Sequence, residues 1–594
     1  MTKMTTQDRL SALRDVMAGQ NIDAWIAADS DPHQSEYPAS HWKTRAWLSG
    51  FTGSAGTLVV TRENAALWTD FRYFIQAERQ LAGSGIELFK MKMPGVPSLY
   101  AWLRQALQEN DVLGFDGWVF SAAEAEKLQR AVAAKHIRIA CDRDLAAQVW
   151  TERPAIPGEK ISILDVKFSG ASRQSKCSRV RDKMTDLGVQ GHLISSLDEI
   201  AWLLNIRGRD IAYNPVAIAY LYLSQEEAHL FVAPEKLSEE ILALLASDGI
   251  MCSDYDALPR FLKQIPADTT LLIDPQRTSQ AVRELLAQRC TIIEGENIAL
   301  PLKAIKNACE QEGFRQAHIR DGVAMVKWLF WLNQHVGRQV LSEMTIVEPL
   351  EEFRSQQSFF QGLSFNTISA YQANSALCHY AAKPETALTI EAAGMLLVDS
   401  GAQYLDGTTD ITRTMTLSEA SAQQRRDFTY VLKGHIALAT AQFPKGTSGA
   451  QLDTLARIAL WKQGLDYGHG TGHGLGHFLS VHEGPQSIRP ENTEPLRLGM
   501  VCSNEPGLYR EGQYGIRIEN VVIVVPAEET EFGSFYQFET ISLCPIDRRL
   551  IDASRLTQPE KDWLNAYHRR VCDTLSPFLT SNEQAWLAEA AQEI

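Results

Sequence analysis

Asp399, Asp410, His473, Glu505 and Glu519 are the residues whose types and spacing best support chemistry in this 594-residue chain. They stand in short contexts: Asp-Ser-Gly at 399–401, Thr-Thr-Asp at 408–410, His-Gly-Thr-Gly-His at 469–473, Asn-Glu-Pro-Gly at 504–507 and Ile-Glu-Asn at 518–520. Four carboxylates and one imidazole make a hard, oxygen-rich donor set suited to two divalent cations, because a single cation would not need so much negative charge. A cation pair acidifies a bridging water and makes hydroxide available near neutral pH. The expectation is a hydrolytic centre.

Each residue needs an element to hold it. The glycines of 469–476 oppose a helix by about 1 kcal/mol each, so His469 and His473 are not a helical pair. Glycine instead lets backbone pass close to an ion or a substrate. The apolar run 394–398 is a buried strand that ends at Asp399, with Asp410 across a turn through 404–407. Glu505 precedes Pro506, which biases it to extended backbone. The run 515–525 reads as one strand, on which Arg517 faces the same side as Glu519, there to pair with a ligand carboxylate or a substrate group.

In order and spacing these motifs resemble the pita-bread metallopeptidases, a family that includes methionine aminopeptidase, prolidase, creatinase and aminopeptidase P. Further segments resemble the three-domain, cytosolic-type aminopeptidase P branch. These are Trp68-Thr69-Asp70 with Arg72-Tyr73, the stretch 198–208, Ala317–Gly322, Pro545-Ile546-Asp547 and Trp563–His568. The resemblance implies an α/β (α+β) architecture of two related creatinase-like domains followed by a pita-bread catalytic domain. It also implies a metal-dependent aminopeptidase that hydrolyses the N-terminal Xaa-Pro bond of peptides through a hydroxide bridging two metal ions.

In that pattern Asp410 and Glu519 bridge the ions, Asp399 completes one, and His473 with Glu505 completes the other. Glu505 is the proton shuttle. His379 and His482 line the peptide site and meet the scissile amide, and His469 lies near the proline pocket. Mn²⁺ suits the oxygen-rich set, with Co²⁺ or Zn²⁺ also able to occupy it. Homodimerisation follows from the resemblance alone. Two other readings stay open: a prolidase acting on Xaa-Pro dipeptides, and a non-catalytic pita-bread module that binds peptide or protein.

The chain departs from the family pattern at three places. Relatives carry Gly-Pro-Asn-Gly-Ala before the histidine at 379, whereas residues 371–376 read Tyr-Gln-Ala-Asn-Ser-Ala. Phe71 stands where glycine is common, and His477 follows Gly476. His477 is expected on the surface, an adventitious metal contact being the alternative.

Composition bounds the rest. Lys plus Arg number 57 against 72 Asp plus Glu, and the resulting net charge of −15 argues against nucleic acid and anionic membrane as standing partners. No secretory h-region opens the sequence and no run of 18 apolar residues appears, so neither export nor a spanning helix is expected. Nine scattered cysteines form no Cys-x-x-Cys pair, which fits reduced thiols in a cytoplasmic protein. Cys378 and Cys502 are expected to be small buried hydrophobes.

An internal repeat organises the first half. Residues 13–17, 22–28 and 47–53 recur in kind at 180–184, 189–195 and 202–208: a helix, a short strand, then a Trp-Leu segment closing on glycine. The expected domains are 1–155, 156–300 and 301–594, with the Pro/Gly-bearing stretch 153–158 as the first linker. The third opens on a long helical pattern and ends in a helical tail over 557–594.

Overall fold

The computed structural model describes residues 4–594. The chain forms two compact units. Among the described residues, one comprises those up to Ile163 together with Ala171–Ala299, the other Leu164–Gly170 and Leu300–Ile594.

The first unit carries the repeat. Its first six-stranded sheet has the order Glu87–Lys90, Ala65–Thr69, Thr57–Thr61, Ala24–Ala27, Val112–Phe115, Arg138–Ala140. The second runs Ile250–Ser253, Ala228–Val232, Ala219–Ser224, Gly191–Ile194, Thr270–Ile273, Thr291–Glu294. Strand senses agree position by position: each inner strand is antiparallel to the neighbour that follows it in the chain and parallel to the later one. Both copies open on a helix that stops at a turn-forming residue. Thr6–Gly19 is closed at its start by a Thr5/Asp8 capping box, and Arg173–Leu187 ends on Gly188 in the left-handed region, where glycine meets no Cβ clash. The Trp-Leu helix of the first copy closes on left-handed Gly50, three residues before the Gly53 that ends the repeated segment. That of the second likewise closes early, on left-handed Asn205 rather than Gly208; a short polar side chain tolerates that backbone.

The second unit is built around the helix Ala308–His335, started by an Asn307/Glu310 capping box and buried along Phe314, Ala317, Val323, Val326 and Leu329. Two sheets matter for the site. A three-stranded antiparallel sheet has the order Ile368–Tyr371, Met395–Ser400, Ile411–Thr416, and every residue of all three strands is buried. A six-stranded sheet has the order Gln442–Pro444, Gly533–Thr540, Asn520–Thr530, Val501–Asn504, Gly472–Gly474, Glu483–Ile488. The helices Ala422–Ala439 and Gly449–Trp461 and the tail helices Gln558–Leu575 and Ser581–Ala590 complete the unit.

One strand differs from expectation. The run 515–525 is two strands in two different sheets: Tyr514–Arg517 pairs with Gly507–Arg510, Asn520–Thr530 joins the six-stranded sheet, and the chain leaves strand geometry at Ile518 and Glu519. Alternation through Ile516 and Ile518 followed by the β-branched run 521–525 suits one long strand as well as two, so pattern alone does not mark the crossover. All nine cysteines are free, and Cys378 and Cys502 are buried.

Candidate metal centre

The three-stranded sheet supplies Asp399 and Asp410. Asp399 lies within the middle strand, opposite Thr412. The hairpin of Ala402–Tyr404 with Gly407–Thr408 turns the chain so that Asp410 leads into the third strand. The six-stranded sheet supplies the rest. His473 is the middle residue of Gly472–Gly474. Asn504 and Asn520 are register partners, so Glu505 and Glu519, each one residue beyond the pair, leave adjacent strands at the same level. Hydrogen bonds fix both departures: the Glu505 amide donates to the Thr471 carbonyl at 2.7 Å and the Glu519 amide to the Thr412 carbonyl at 3.2 Å.

The side chains converge. Donor atoms of Asp410, His473 and Glu519 lie within 4.8 Å of one another. His473 Nε2 is 3.4 Å from Asp410 Oδ2 and 3.5 Å from Glu505 Oε1. Its Nδ1 is 3.0 Å from the Gly474 carbonyl, the contact of an N–H donor, so Nε2 is the nitrogen that would be free to bind an ion once its own proton is displaced. Thr412 Oγ1 donates to Glu519 Oε2 at 2.7 Å, and Ser503 Oγ donates to Glu505 Oε1 at 3.2 Å. Arg517 donates to Asp399 Oδ2 at 2.6 Å, whereas Asp399 Oδ1 is buried with no hydrogen-bond partner.

Charge repulsion in this space is severe. Burial raises the Asp399 carboxyl pKa despite Arg517, and Asp410 adds to the rise. Burial likewise raises Glu505 against the pull of His473 and Arg517. Glu519 is pushed well above the carboxylate range by burial and then by Asp410, Asp399 and Glu505. Burial alone would lower His473, but the hydrogen bond to Asp410 and the charges of Glu505 and Asp410 outweigh it and carry the ring up to about 9. A donor set this crowded, with one oxygen orphaned, fits cations in its midst.

Of the other expected residues, His482, His469 and Arg517 gather here. The His482 ring stands edge-on to His473 with centroids 4.3 Å apart. His469 Nε2 and the Tyr509 hydroxyl are 2.8 Å apart, and Tyr509 accepts from Arg517 at 2.8 Å, so His469 reaches Asp399 through two intermediaries. Arg517 pairs with a candidate ligand, the first of its two expected uses. It also donates to the carbonyl of Cys378, which precedes His379, at 3.4 Å. His477 is a correction: it is 2% exposed and packs edge-on to Phe314 with centroids 5.6 Å apart, so it belongs to the interior rather than the surface.

Several positioning residues gave no signal in the sequence. The buried pair Asp453–Arg457, one helical turn apart, grips the glycine-rich segment. Arg457 donates to the carbonyls of Tyr467 and His469 at 2.7 Å each, and Thr471 Oγ1 donates to Asp453 Oδ1 at 2.5 Å. Such a pair at helical spacing reads in sequence as a solvated surface pair. Glu483, beside His482, is held by Lys303 at 2.7 Å and by Lys306, all three buried. His435 sits between the segments of Glu505 and Glu519, its Nδ1 3.1 Å from the Asn504 carbonyl and its Nε2 accepting from Asn520 at 3.1 Å. Arg413 donates to the Glu519 carbonyl at 2.7 Å, to the Cys544 carbonyl at 2.7 Å and to the Tyr567 hydroxyl at 2.9 Å. The tail motif is thereby tied to a candidate ligand.

Comparison with known proteins gives the lineage. Residues 9–140 and 152–310 match profiles of the creatinase/prolidase N-terminal domain, 312–526 match metallopeptidase family M24, and 534–594 match the C-terminal region of that peptidase family. Aminopeptidase P2 of Arabidopsis thaliana is 41% identical, the alignment spanning 99% of this chain and 88% of that one. The chain belongs to metallopeptidase family M24. Within the family, a probable Xaa-Pro aminopeptidase P of Coprinopsis cinerea is 42% identical over 98% of this chain and 97% of that protein. The X-prolyl aminopeptidase of Caenorhabditis elegans, described as a cytosolic enzyme with a di-nuclear active site, superposes with a TM-score of 0.95 at 35% identity over 100% of both chains. The family implied by the motifs is the one these comparisons return. So is its order of domains, two creatinase-like α/β domains before the catalytic one.

Proposed function

We propose that this M24 chain is a metal-dependent Xaa-Pro aminopeptidase, releasing the first residue of peptides whose second residue is proline. The observation that carries the reading is the full-length likeness to an X-prolyl aminopeptidase; the cluster of Asp410, His473 and Glu519, with Glu505 beside His473 and Asp399 held by Arg517, supports it. The likeness spans both N-terminal domains as well as the catalytic one, which favours the aminopeptidase over a prolidase. The intact donor set favours an enzyme over a binding module.

Asp399, Asp410, His473, Glu505 and Glu519 would hold two divalent ions, Mn²⁺ before Co²⁺ or Zn²⁺, which supply Lewis acidity and an acidified water. The residues do the rest. Glu505 takes the proton of the attacking water on a carboxylate oxygen and passes it toward the prolyl nitrogen, oriented meanwhile by Ser503. His482 and His379 donate to the oxygen that becomes negative as the amide carbon turns tetrahedral. His469, held by Tyr509, and Arg517 border the substrate. A prolyl amide carries no N–H, so selectivity rests on ring shape rather than on an amide donor.

The division into 1–155, 156–300 and 301–594 is supported by the repeated sheet order and by the helix that starts at Ala308. A cytoplasmic location is in keeping with the cytosolic nematode relative, and homodimerisation with the family pattern. Neither nucleic acid nor membrane is a proposed partner: the chain is acidic, and no helix among the described residues is long and apolar enough to cross a membrane.

The test is cleavage of Arg-Pro-Pro, Arg-Ala-Ala and the dipeptide Arg-Pro by metal-stripped protein with and without Mn²⁺. Metal-dependent release of Arg from Arg-Pro-Pro, and not from Arg-Ala-Ala, is expected. Activity confined to Arg-Pro makes the protein a prolidase, and silence on all three with metal bound favours an altered pocket or a binding role.

A further inference from the structure

Glu343 lies outside every motif and is fully buried, yet no cationic side chain among the described residues pairs with it. Its charge is met by hydrogen-bond donors from one segment of chain. Oε1 accepts from the Tyr371 amide at 2.6 Å, and Oε2 accepts from the Tyr380 hydroxyl and the Leu388 amide at 2.8 Å each. Asn374 Nδ2 spans both oxygens at 3.2 and 3.0 Å. The Glu343 amide completes the ring by donating to the Leu388 carbonyl at 3.1 Å. These donors bracket His379.

The far side of the same segment touches the metal centre. Its leading strand, Ile368–Tyr371, pairs with the strand of Asp399, Ile368 lying opposite Asp399 itself. Ser375 Oγ accepts from the Gly515 amide at 2.6 Å, and the Cys378 carbonyl accepts from Arg517. This is the stretch that departs from the family pattern. Gln372, in place of a glycine, adopts φ 50° and lies against Gly394, where a Cβ would come within 1.9 Å of its amide nitrogen. Ser375, in place of the second glycine, donates to the Gln372 carbonyl at 2.6 Å as well as accepting from Gly515. A segment that has given up two glycines and a proline is thus held by side-chain hydrogen bonds, and five of them end on one carboxylate.

An unpaired buried carboxylate is expensive unless fully hydrogen-bonded, and once satisfied it rigidifies its surroundings. We infer that Glu343 is the positioning residue for His379: its carboxylate draws residues 371–388 into the one conformation that presents the imidazole to the scissile amide. This rests on the Xaa-Pro aminopeptidase reading for the role of His379, though not for the geometry.

The test is a double-mutant cycle on the Mn²⁺-loaded full chain with Arg-Pro-Pro, combined with amide hydrogen exchange. Glu343→Gln keeps the shape but turns one acceptor into a donor facing donors. Exchange protection across 371–388 should fall while protection of 395–400 holds. Metal content should stay at the wild-type value, and kcat should drop about 10- to 100-fold with little change in KM. Tyr380→Phe removes a single donor, is the milder variant should Glu343→Gln fail to fold, and should lower kcat several-fold. In a His379→Ala background both substitutions should be silent, because the group they position is gone. A full additional loss in that background, or unchanged protection over 371–388, overturns the inference. If the wild type cleaves none of the peptides, the functional reading falls, while the exchange measurement still decides whether Glu343 orders the segment.

Discussion

Arg517 binds one oxygen of Asp399 at 2.6 Å and leaves the other buried and unpartnered. One carboxylate thus has a guanidinium on one side and an open coordination direction on the other, as expected of a metal ligand steadied by a neighbour. Asp399→Asn should therefore lower metal content without unfolding the chain, as read by elemental analysis after gel filtration. Stripped wild-type protein should gain about 2.7 kcal/mol when Mn²⁺ is supplied at 100 times its Kd, a gain the variant shows only in part.

Removing the guanidinium is a separate matter. Arg517→Lys should keep both metals but lose the planar contact to Asp399 and Tyr509, lowering kcat about 10- to 100-fold. Steady-state kinetics beside metal analysis separate this outcome from the one above; metal loss in step with activity would make Arg517 a structural brace for the ligand alone.

Glu505 is given two tasks, and a conservative change separates them from folding. Glu505→Gln should retain the wild-type thermal midpoint in stripped protein yet abolish turnover of Arg-Pro-Pro. Near-normal kcat would remove Glu505 from proton transfer.

Arg457 and Asp453 are buried together, so deleting one strands the other. Arg457→Met should destabilise the catalytic unit by about 3–5 kcal/mol, measured as a shift in the urea midpoint, and should weaken metal binding because residues 466–473 lose their anchor. A midpoint within experimental scatter of wild type would show that the loop holds without the pair.

Acid sensitivity follows from two histidines. Burial and then Arg413 depress His435 to about 3, and burial, Arg413 and Arg548 depress His568 to about 4. Both are neutral when folded and become protonated on unfolding below about pH 6.5, so the unfolded chain binds the extra protons. Stability is unaffected by them above that value and falls as pH drops toward 4, at up to about 1.4 kcal/mol per pH unit for each ring. His568→Gln, whose amide oxygen can still accept from the Ile546 amide, should flatten the slope of thermal midpoint against pH between 6.5 and 4.5 relative to wild type.

Much of this was legible in the sequence because it is locally encoded. Asp399 ends an unbroken apolar run, Glu505 precedes proline, and the repeat shows in matched helix stops and strand-length runs. What escaped depends on long-range pairing. Nothing in 515–525 marks where the chain passes from one sheet to the next, since Val and Ile suit either, and that passage is where Glu519 is presented. His477 follows a glycine in a glycine-rich stretch, which suggests exposure, yet Phe314 from a distant helix covers it. Glu343 and Asp453 are ordinary acids until the fold brings their donors from 28 or more residues away, in one case, or from the glycine loop in the other.

Arg413 is the third residue after Asp410, but its partners at Cys544 and Tyr567 come later in the chain than every candidate ligand. During synthesis every candidate ligand therefore leaves the ribosome before the clasp that fixes Glu519 exists. A chain cut between Glu519 and Cys544 would carry every candidate ligand yet lack both ends of that clasp, so the order of the chain makes holding Glu519 the last act in assembling the centre.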